Sequence, residues 1–201
     1  QPVLYQDFLA SADARRRYWL YRKEMYADFR NARPNAAHDA LARMEERGRL
    51  EAVVTQNIDG LHQDAGSRKV VELHGTNRRV ICVACRREHD VAQVYAGLDE
   101  GRDVPICDDC GGPLKAASIS FGQNLDPEVL DEAFRLARET DLLLVIGSSL
   151  VVQPAAALPV AAAEAGANVV IVNREPTPLD GLAAVVIHGA VEDVVPALTS
   201  I

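Results

Sequence analysis

Residues 141–146 read Asp-Leu-Leu-Leu-Val-Ile, with Gly147 next, and residues 168–173 read Asn-Val-Val-Ile-Val-Asn. Apolar runs of this length without polar alternation mark strands buried on both faces. Such strands belong to parallel sheets covered by helices. Between them lies an Ala-rich stretch, residues 154–165, closed by Gly166. It reads as a helix whose start Pro159 delays or kinks. Two parallel strands joined by one helix form a right-handed crossover. The chain is therefore expected to be an α/β protein with a doubly wound parallel sheet.

Other segments fit this frame. Residues 11–31 and 35–47 have helical spacing, the first with a very polar face, the second stopped by Gly48. Residues 50–54 read as a strand, 59–66 as a short helix, and 70–73 as a β-like stretch leading into His74. Residues 116–121 resume β character. Asp126-Pro127-Glu128 is a helix start, with an Asp cap and Pro at the first helical position. A strand at 183–187 and a helix at 191–198 complete the reading. From Arg78 to Leu114, by contrast, Cys pairs, Gly, Pro and charges dominate, too apolar-poor for a core of their own. The expected division is a discontinuous α/β domain, 1–77 and 115–201, around a small metal-bearing insert, 78–114.

The chain has 201 residues, 48% of them hydrophobic and 25% charged, and a net charge of −8. The acidic balance argues against an autonomous nucleic-acid binder. No apolar run approaches the roughly 20 residues of a membrane span. Residues 1–30 carry charges throughout and show no apolar core of a secretory signal. A cytoplasmic protein is expected. Because residue 1 is Gln, the chain reads as a fragment or a processed product.

The four cysteines are Cys82, Cys85, Cys107 and Cys110, two Cys-x-x-Cys pairs. Each such turn converges two sulfurs, and two turns complete a tetrahedral shell for one Zn²⁺. Four thiolates leave no open position, so the site reads as structural. A redox dithiol and an iron–sulfur cluster are the alternatives. Gly111-Gly112 allows the tight backbone of a knuckle. His89 reads as a solvated loop residue rather than a ligand.

Polar groups follow three of the expected strands. Gln56, Asn57 and Asp59, within Thr55-Gln-Asn-Ile-Asp-Gly-Leu-His62, can place donors and acceptors on a small amide or a ribose. Gly147-Ser148-Ser149 suits an anion or a ribose. Asn173-Arg174-Glu175 occupies a position that commonly meets a nucleotide ribose. In open α/β sheets ligands bind at the carboxyl ends of strands, so together these ends suggest a nucleotide-like ligand. His74, in Glu72-Leu-His-Gly75, offers an imidazole, the side chain that ordinarily titrates near neutrality, as a general base.

With the two Cys pairs, Ile119-Ser-Phe-Gly122, Gly147-Ser-Ser-Leu-Val-Val152 and Asn173-x-Glu175, these motifs resemble the sirtuin family, in this order, from about Pro34 to Leu198. The resemblance implies an NAD-dependent protein-lysine deacylase, most simply a deacetylase. Its fold would be a Rossmann-like domain with a small zinc domain. It implies His74 as the base acting through the nicotinamide ribose hydroxyls, with Asn57 also in the catalytic pocket. Asn57, Ile58 and Asp59 would line the nicotinamide site, with Gln56 near the ribose. Gly147, Ser148, Ser149, Asn173, Arg174 and Glu175 would lie along the adenosine half, and Val191 near the adenine. Ser120, Phe121 and Gly122, with Leu150, Val151 and Val152, would flank an acyl-lysine peptide as edge strands. Nicotinamide and an O-acyl-ADP-ribose would be the products. Partners would be acyl-lysine proteins, with neither nucleic acid nor membrane, and a monomer is favoured.

Three features stand apart from the family pattern. Its Gly-Ala-Gly-type phosphate loop has no counterpart in residues 1–50. Were that cradle truly absent, NAD binding would be very weak and turnover negligible. Gln123 stands where many relatives carry Glu. Trp19-Leu-Tyr-Arg22 keeps the Arg but not the Tyr of the Tyr-x-x-Arg motif found in relatives that prefer acidic acyl groups, so neutral acyl groups are expected. The surrounding cluster, 15–23, equally fits a solvated helix face. Mono-ADP-ribosyl transfer and a non-catalytic zinc-ribbon module are the competing functions.

Overall fold

A computed structural model describes residues 2–199. The outermost residues of the expected domain limits, 1 and 201, lie outside the described residues. In chain order the elements are α1 (Tyr5–Ala10), α2 (Ala12–Asn31), α3 (Ala36–Glu46), β1 (Val53–Thr55), α4 (Leu61–Asp64), β2 (Val70–Glu72), β3 (Gly75–Cys82) and β4 (Glu88–His89). They continue with α5 (Val91–Asp99), β5 (Leu114–Ser118), α6 (Pro127–Glu139), β6 (Leu142–Ile146), α7 (Leu158–Glu164), β7 (Asn168–Val172), β8 (Val185–Ile187) and α8 (Val191–Thr199). The chain packs as two units. A ribbon unit comprises residues up to 32, 57–60 and 74–125, and a sheet unit comprises 33–56, 61–73 and the chain from 126 on.

The sheet unit has the expected parallel architecture. β6, β7 and β8 pair in that order, all parallel, and β1 pairs β2 in parallel. β7 is central, and its Val169, Ile171 and Val172 are fully buried. Each such side chain contributes about 1.5–3 kcal/mol relative to exposure. The crossover between β6 and β7 opens with a 3₁₀ turn, Ala155–Ala157, before α7 begins at Leu158 with Pro159 in its first turn. Pro is tolerated there because that N–H has no helical partner. Ala155, Ala156 and Ala162 are buried, and their small side chains let the crossover lie close to its neighbours. Ala37, Ala40 and Leu41 of α3 cluster with Val172 and with Val195 of α8. Asn35 caps α3, accepting from the backbone N–H groups of Ala37 and His38, and Asp126 caps α6.

The strand expected at 50–54 is displaced to Val53–Thr55. Its partner begins only at Val70, so pairing starts with Val53 opposite Val70. The Glu45 carboxylate fixes that start by accepting from the backbone N–H groups of Arg68 and Lys69, each at 2.8 Å.

The ribbon unit holds α1, α2, α5 and an antiparallel sheet in the order β4-β3-β5. The segment 78–114 obtains its core from the N-terminal helices. Phe8, Tyr18 and Trp19 cluster with Val80, Cys82, Tyr95, Leu98, Cys107 and Leu114. Phe8, Tyr18, Trp19 and Tyr95 meet edge to face with centroids 4.9, 5.4 and 5.9 Å apart, the geometry favoured by aromatic quadrupoles. Trp19 Nε1 donates to the Leu114 carbonyl at 3.1 Å. The solvated-face reading of 15–23 is thus corrected: Tyr18 and Trp19 are buried because their partners sit far along the chain. The strand expected at 116–121 runs instead over Leu114–Ser118, because β5 pairs β3 directly from Cys82 opposite Leu114.

Candidate functional site

The cysteines meet as their spacing predicts. All four Sγ atoms lie within 4.8 Å of one another, with Cys82 and Cys110 at 3.4 Å and Cys85 and Cys107 at 3.8 Å. A tetrahedral zinc ion with bonds of about 2.3 Å holds its sulfurs about 3.8 Å apart, so the set fits zinc. Gly112 is needed here, since a Cβ would lie 2.8 Å from Ala84 Cβ and 2.9 Å from Cys82 Sγ. Burial alone would push the Cys82 thiol up, but the Cys85 N–H, the Cys110 thiol and the Ala84 N–H bring it down to about 7. Cys110 has the Gly112 N–H in its favour, yet the Cys82 and Cys85 sulfurs drive it up to about 12. Crowded thiols resist joint ionisation, and a divalent cation removes that resistance. His89, expected in a loop, lies on β4 opposite Val80. It is outside the four-sulfur set.

In the ribbon unit, β3 organises the candidate catalytic groups. His74 directly precedes β3, and its carbonyl accepts from Ile119 N at 2.8 Å. Gly75 follows at φ +65°, where a Cβ would lie 2.2 Å from the Ala117 carbonyl oxygen. Only glycine lets β3 start so close to β5. The register then slips between Gly75 and Val80, and the slipped residues serve the 57–60 loop. Asn77 N donates to the Ile58 carbonyl at 2.8 Å, and Arg78 Nε donates to the Asp59 carbonyl at 2.8 Å. Asn57, Ile58 and Asp59 are thereby tied to the residues just beyond His74. Asn77 in turn accepts from the Arg22 guanidinium. Nothing local in the sequence marks Asn77, Arg78 or Arg22 for these roles.

Lys115 of β5 is a further group that sequence reading passed over. It is buried, donates to the Ala116 and Ser118 carbonyls, and lies 5.9 Å from the Tyr5 and Tyr18 ring centroids. Burial, reinforced by the Arg22 and Arg86 charges, lowers its ammonium to about 7.

In the sheet unit, the polar strand ends converge. Gln56 Nε2, after β1, donates to Ser148 Oγ at 3.4 Å, and Ser148 Oγ also accepts from Leu150 N at 3.3 Å. Gly147 sits at φ +59°, with Val191 Cγ1 3.6 Å from where its Cβ would be. Asn173 N donates to the Ile187 carbonyl, and its side chain closes a turn onto the Glu175 carbonyl at 2.7 Å. Gln56, Gly147, Ser148, Asn173 and Val191 thus gather at the carboxyl ends of parallel strands. Ser149, Arg174 and Glu175 are exposed beside them. Hydroxyl, amide and carboxylate groups around a glycine turn suit a nucleotide's sugar hydroxyls.

Neither expected edge strand is a strand. Ser120 accepts from Gln123 N, and the Gln123 side chain accepts from Ser120 N, closing a turn with Gly122 at φ +78°. Leu150 is held at φ +54°, outside the β region. Phe121, Val151 and Val152 are all exposed.

The fold and the cysteine knuckle together define a Rossmann-like α/β protein with a structural-type metal ribbon. The Sir2 family pattern matches residues 2–154, and the chain belongs to that family. The match includes the helices ahead of Pro34, where the motif resemblance begins. The chain is 46% identical over 198 residues to the "NAD-dependent protein deacetylase 2" of Streptomyces coelicolor, covering 98% of this chain and 81% of that protein. It is 48% identical over 177 residues to an "NAD-dependent protein deacetylase" of Haloarcula marismortui, covering 88% of this chain and 68% of that one. Among solved structures, "Sir2-p53 peptide-NAD+" superposes with a TM-score of 0.90 at 41% identity, covering 96% of this chain and 79% of that one. "Structure of Sir2Tm bound to a propionylated peptide" also gives 0.90 at 41%, covering 96% and 80%. Among the described residues no helix is long and apolar enough to cross a membrane.

Proposed function

We propose that this chain is an NAD-dependent protein-lysine deacylase, most simply a deacetylase, releasing nicotinamide and O-acyl-ADP-ribose. Beyond the family relationship, one observation supports the assignment of roles: Asn77 and Arg78, which hold the Ile58 and Asp59 carbonyls, lie only three and four residues beyond His74. When bound, NAD supplies a ribose bond to a good leaving group. Asn57 and Asp59 hold the nicotinamide amide, Ile58 lines its site, and Gln56 lies near the ribose. His74 takes the proton from a ribose hydroxyl, work suited to an imidazole. Gly147, Ser148, Ser149, Asn173, Arg174 and Glu175 hold the adenosine half, with Val191 at the adenine.

Ser120–Gly122 and Leu150–Val152 receive the acyl-lysine peptide through main-chain bonds, which tolerate many sequences. The four cysteines hold one zinc ion as a closed structural site that takes no part in the chemistry. Four thiols in a metal knuckle suit a reducing compartment, so the cytoplasm is the proposed location. A monomer acting on protein substrates, with no nucleic acid or membrane partner, completes the reading.

The test is product analysis with NAD and an acetyl-lysine peptide. Nicotinamide released only with peptide present, with one O-acetyl-ADP-ribose per lysine freed, supports deacylation. A protein acceptor gaining ADP-ribose instead means ADP-ribosyl transfer. On the full-length protein, no thermal shift at millimolar NAD favours a non-catalytic module.

A further inference from the structure

We propose that Arg78 is a positioning residue for the nicotinamide end of the site, acting through Gly60. This rests on the reading of Asn57 and Asp59 as nicotinamide-binding groups. Gly60 is buried and sits at φ +71°, the left-handed region. The Arg78 side chain lies directly on it: a Cβ at Gly60 would be 2.1 Å from Arg78 Nε and 2.5 Å from Arg78 Cδ. From that seat Nε donates to the Asp59 carbonyl at 2.8 Å. The guanidinium thus sits on the turn that ends the Asn57–Gly60 loop and gives the Asp59 carbonyl a charged donor, which binds more strongly than a neutral one.

Two features make this an assembled clamp rather than a passing surface contact. The missing Cβ of Gly60 is the space the guanidinium fills. The register slip in β3 also places Arg78 where its own N–H is taken by Thr76 Oγ1 at 3.2 Å, with Thr76 buried. The side chain therefore leaves from a fixed backbone. Asn77 N holds the Ile58 carbonyl independently, so loss of Arg78 loosens Asp59 without releasing the loop.

The experiment uses the full chain and steady-state rates with NAD and an acetyl-lysine peptide, plus inhibition by added nicotinamide. Arg78→Ala is expected to lower kcat/KM for NAD about tenfold and to weaken nicotinamide inhibition in similar proportion. The peptide KM and zinc content should stay unchanged. Arg78→Lys restores activity to within about threefold, because an ammonium can still donate to the same carbonyl. Gly60→Ala evicts the guanidinium, so it matches Arg78→Ala, and the double variant is no worse than either alone. An Arg78→Ala enzyme with unchanged NAD kinetics and nicotinamide inhibition would overturn the proposal, as would additive losses in the double variant. Asn57→Ala separates the two levels. If it cripples NAD use while Arg78→Ala does not, only the clamp fails. If Asn57→Ala has no effect, the site reading fails and takes the clamp with it.

Discussion

In the sheet unit, β6 and β7 pair without interruption from Leu142–Asn168 to Ile146–Val172. In the ribbon unit, β3 and β5 lose register between Gly75 and Val80. Both irregular and regular regions carry candidate site residues, but they deliver them differently. In the sheet unit an unbroken ladder brings each strand to its carboxyl end in phase, and the polar residues there follow from where the apolar run stops. In the ribbon unit the slip itself is the device. It frees Asn77 and Arg78 to bond the 57–60 loop, and Gly75 allows the close approach from which the slip starts. Regular structure positions by periodicity, and irregular structure positions by particular atoms. The second kind should be the more easily broken by a single substitution.

The largest effect expected from this difference concerns the metal. A structural zinc contributes roughly 10–16 kcal/mol of apparent free energy in small sites. Chelation, or Cys107→Ser, should remove the single zinc and abolish hydrogen-exchange protection of β3, β4 and β5. The β6–β8 amides should lose far less. Equal loss in both units would erase the distinction.

Next comes Trp19→Ala. It empties the centre of the aromatic cluster and leaves the Leu114 carbonyl without its donor. A loss of about 3–5 kcal/mol is expected, read as a lower denaturation midpoint with unaltered zinc content before unfolding.

A smaller, pH-dependent effect belongs to Lys115. Its folded pKa, about 7, lies below the ordinary value of 10.5. Between these values the unfolded chain binds a proton that the folded chain does not, so stability rises with pH across that window. The slope approaches about 1.4 kcal/mol per pH unit at most. Wild-type minus Lys115→Met stability should therefore increase from pH 7 to pH 10 and stay flat below pH 7. A flat difference throughout would mean that Lys115 is charged in the fold.

The smallest effect tests the regular unit. Asp126→Ala removes the α6 cap and should cost about 1 kcal/mol, with β6–β8 protection falling only slightly and activity retained.

The same contrast explains what could be read from the chain. The runs at 141–146 and 168–173 announce parallel strands because their apolar character is local. The four cysteines announce a metal knuckle because their spacing has few other uses. The start of β1 at Val53 is not a local property, since it depends on where β2 begins. The burial of Tyr18 and Trp19 was hidden because it depends on Tyr95 and Leu114, far along the chain. α5 was missed inside a cysteine-rich segment, although Asp90 caps it by accepting from Gln93 N. Motif resemblance pointed to Asn57, Asp59 and His74. The clamp of Arg78 on Gly60 was not legible, because it requires a left-handed turn and a register slip to coincide.

The central claim is that His74 is the base of an NAD-dependent deacylation. The most direct measurement compares wild type and His74→Ala for O-acetyl-ADP-ribose formation from NAD and an acetyl-lysine peptide, with peptide binding measured alongside. Wild type should form the product one for one with freed lysine. His74→Ala should lose at least about a hundredfold in rate while still binding the peptide. A His74→Ala protein that forms the product at the wild-type rate would contradict the account.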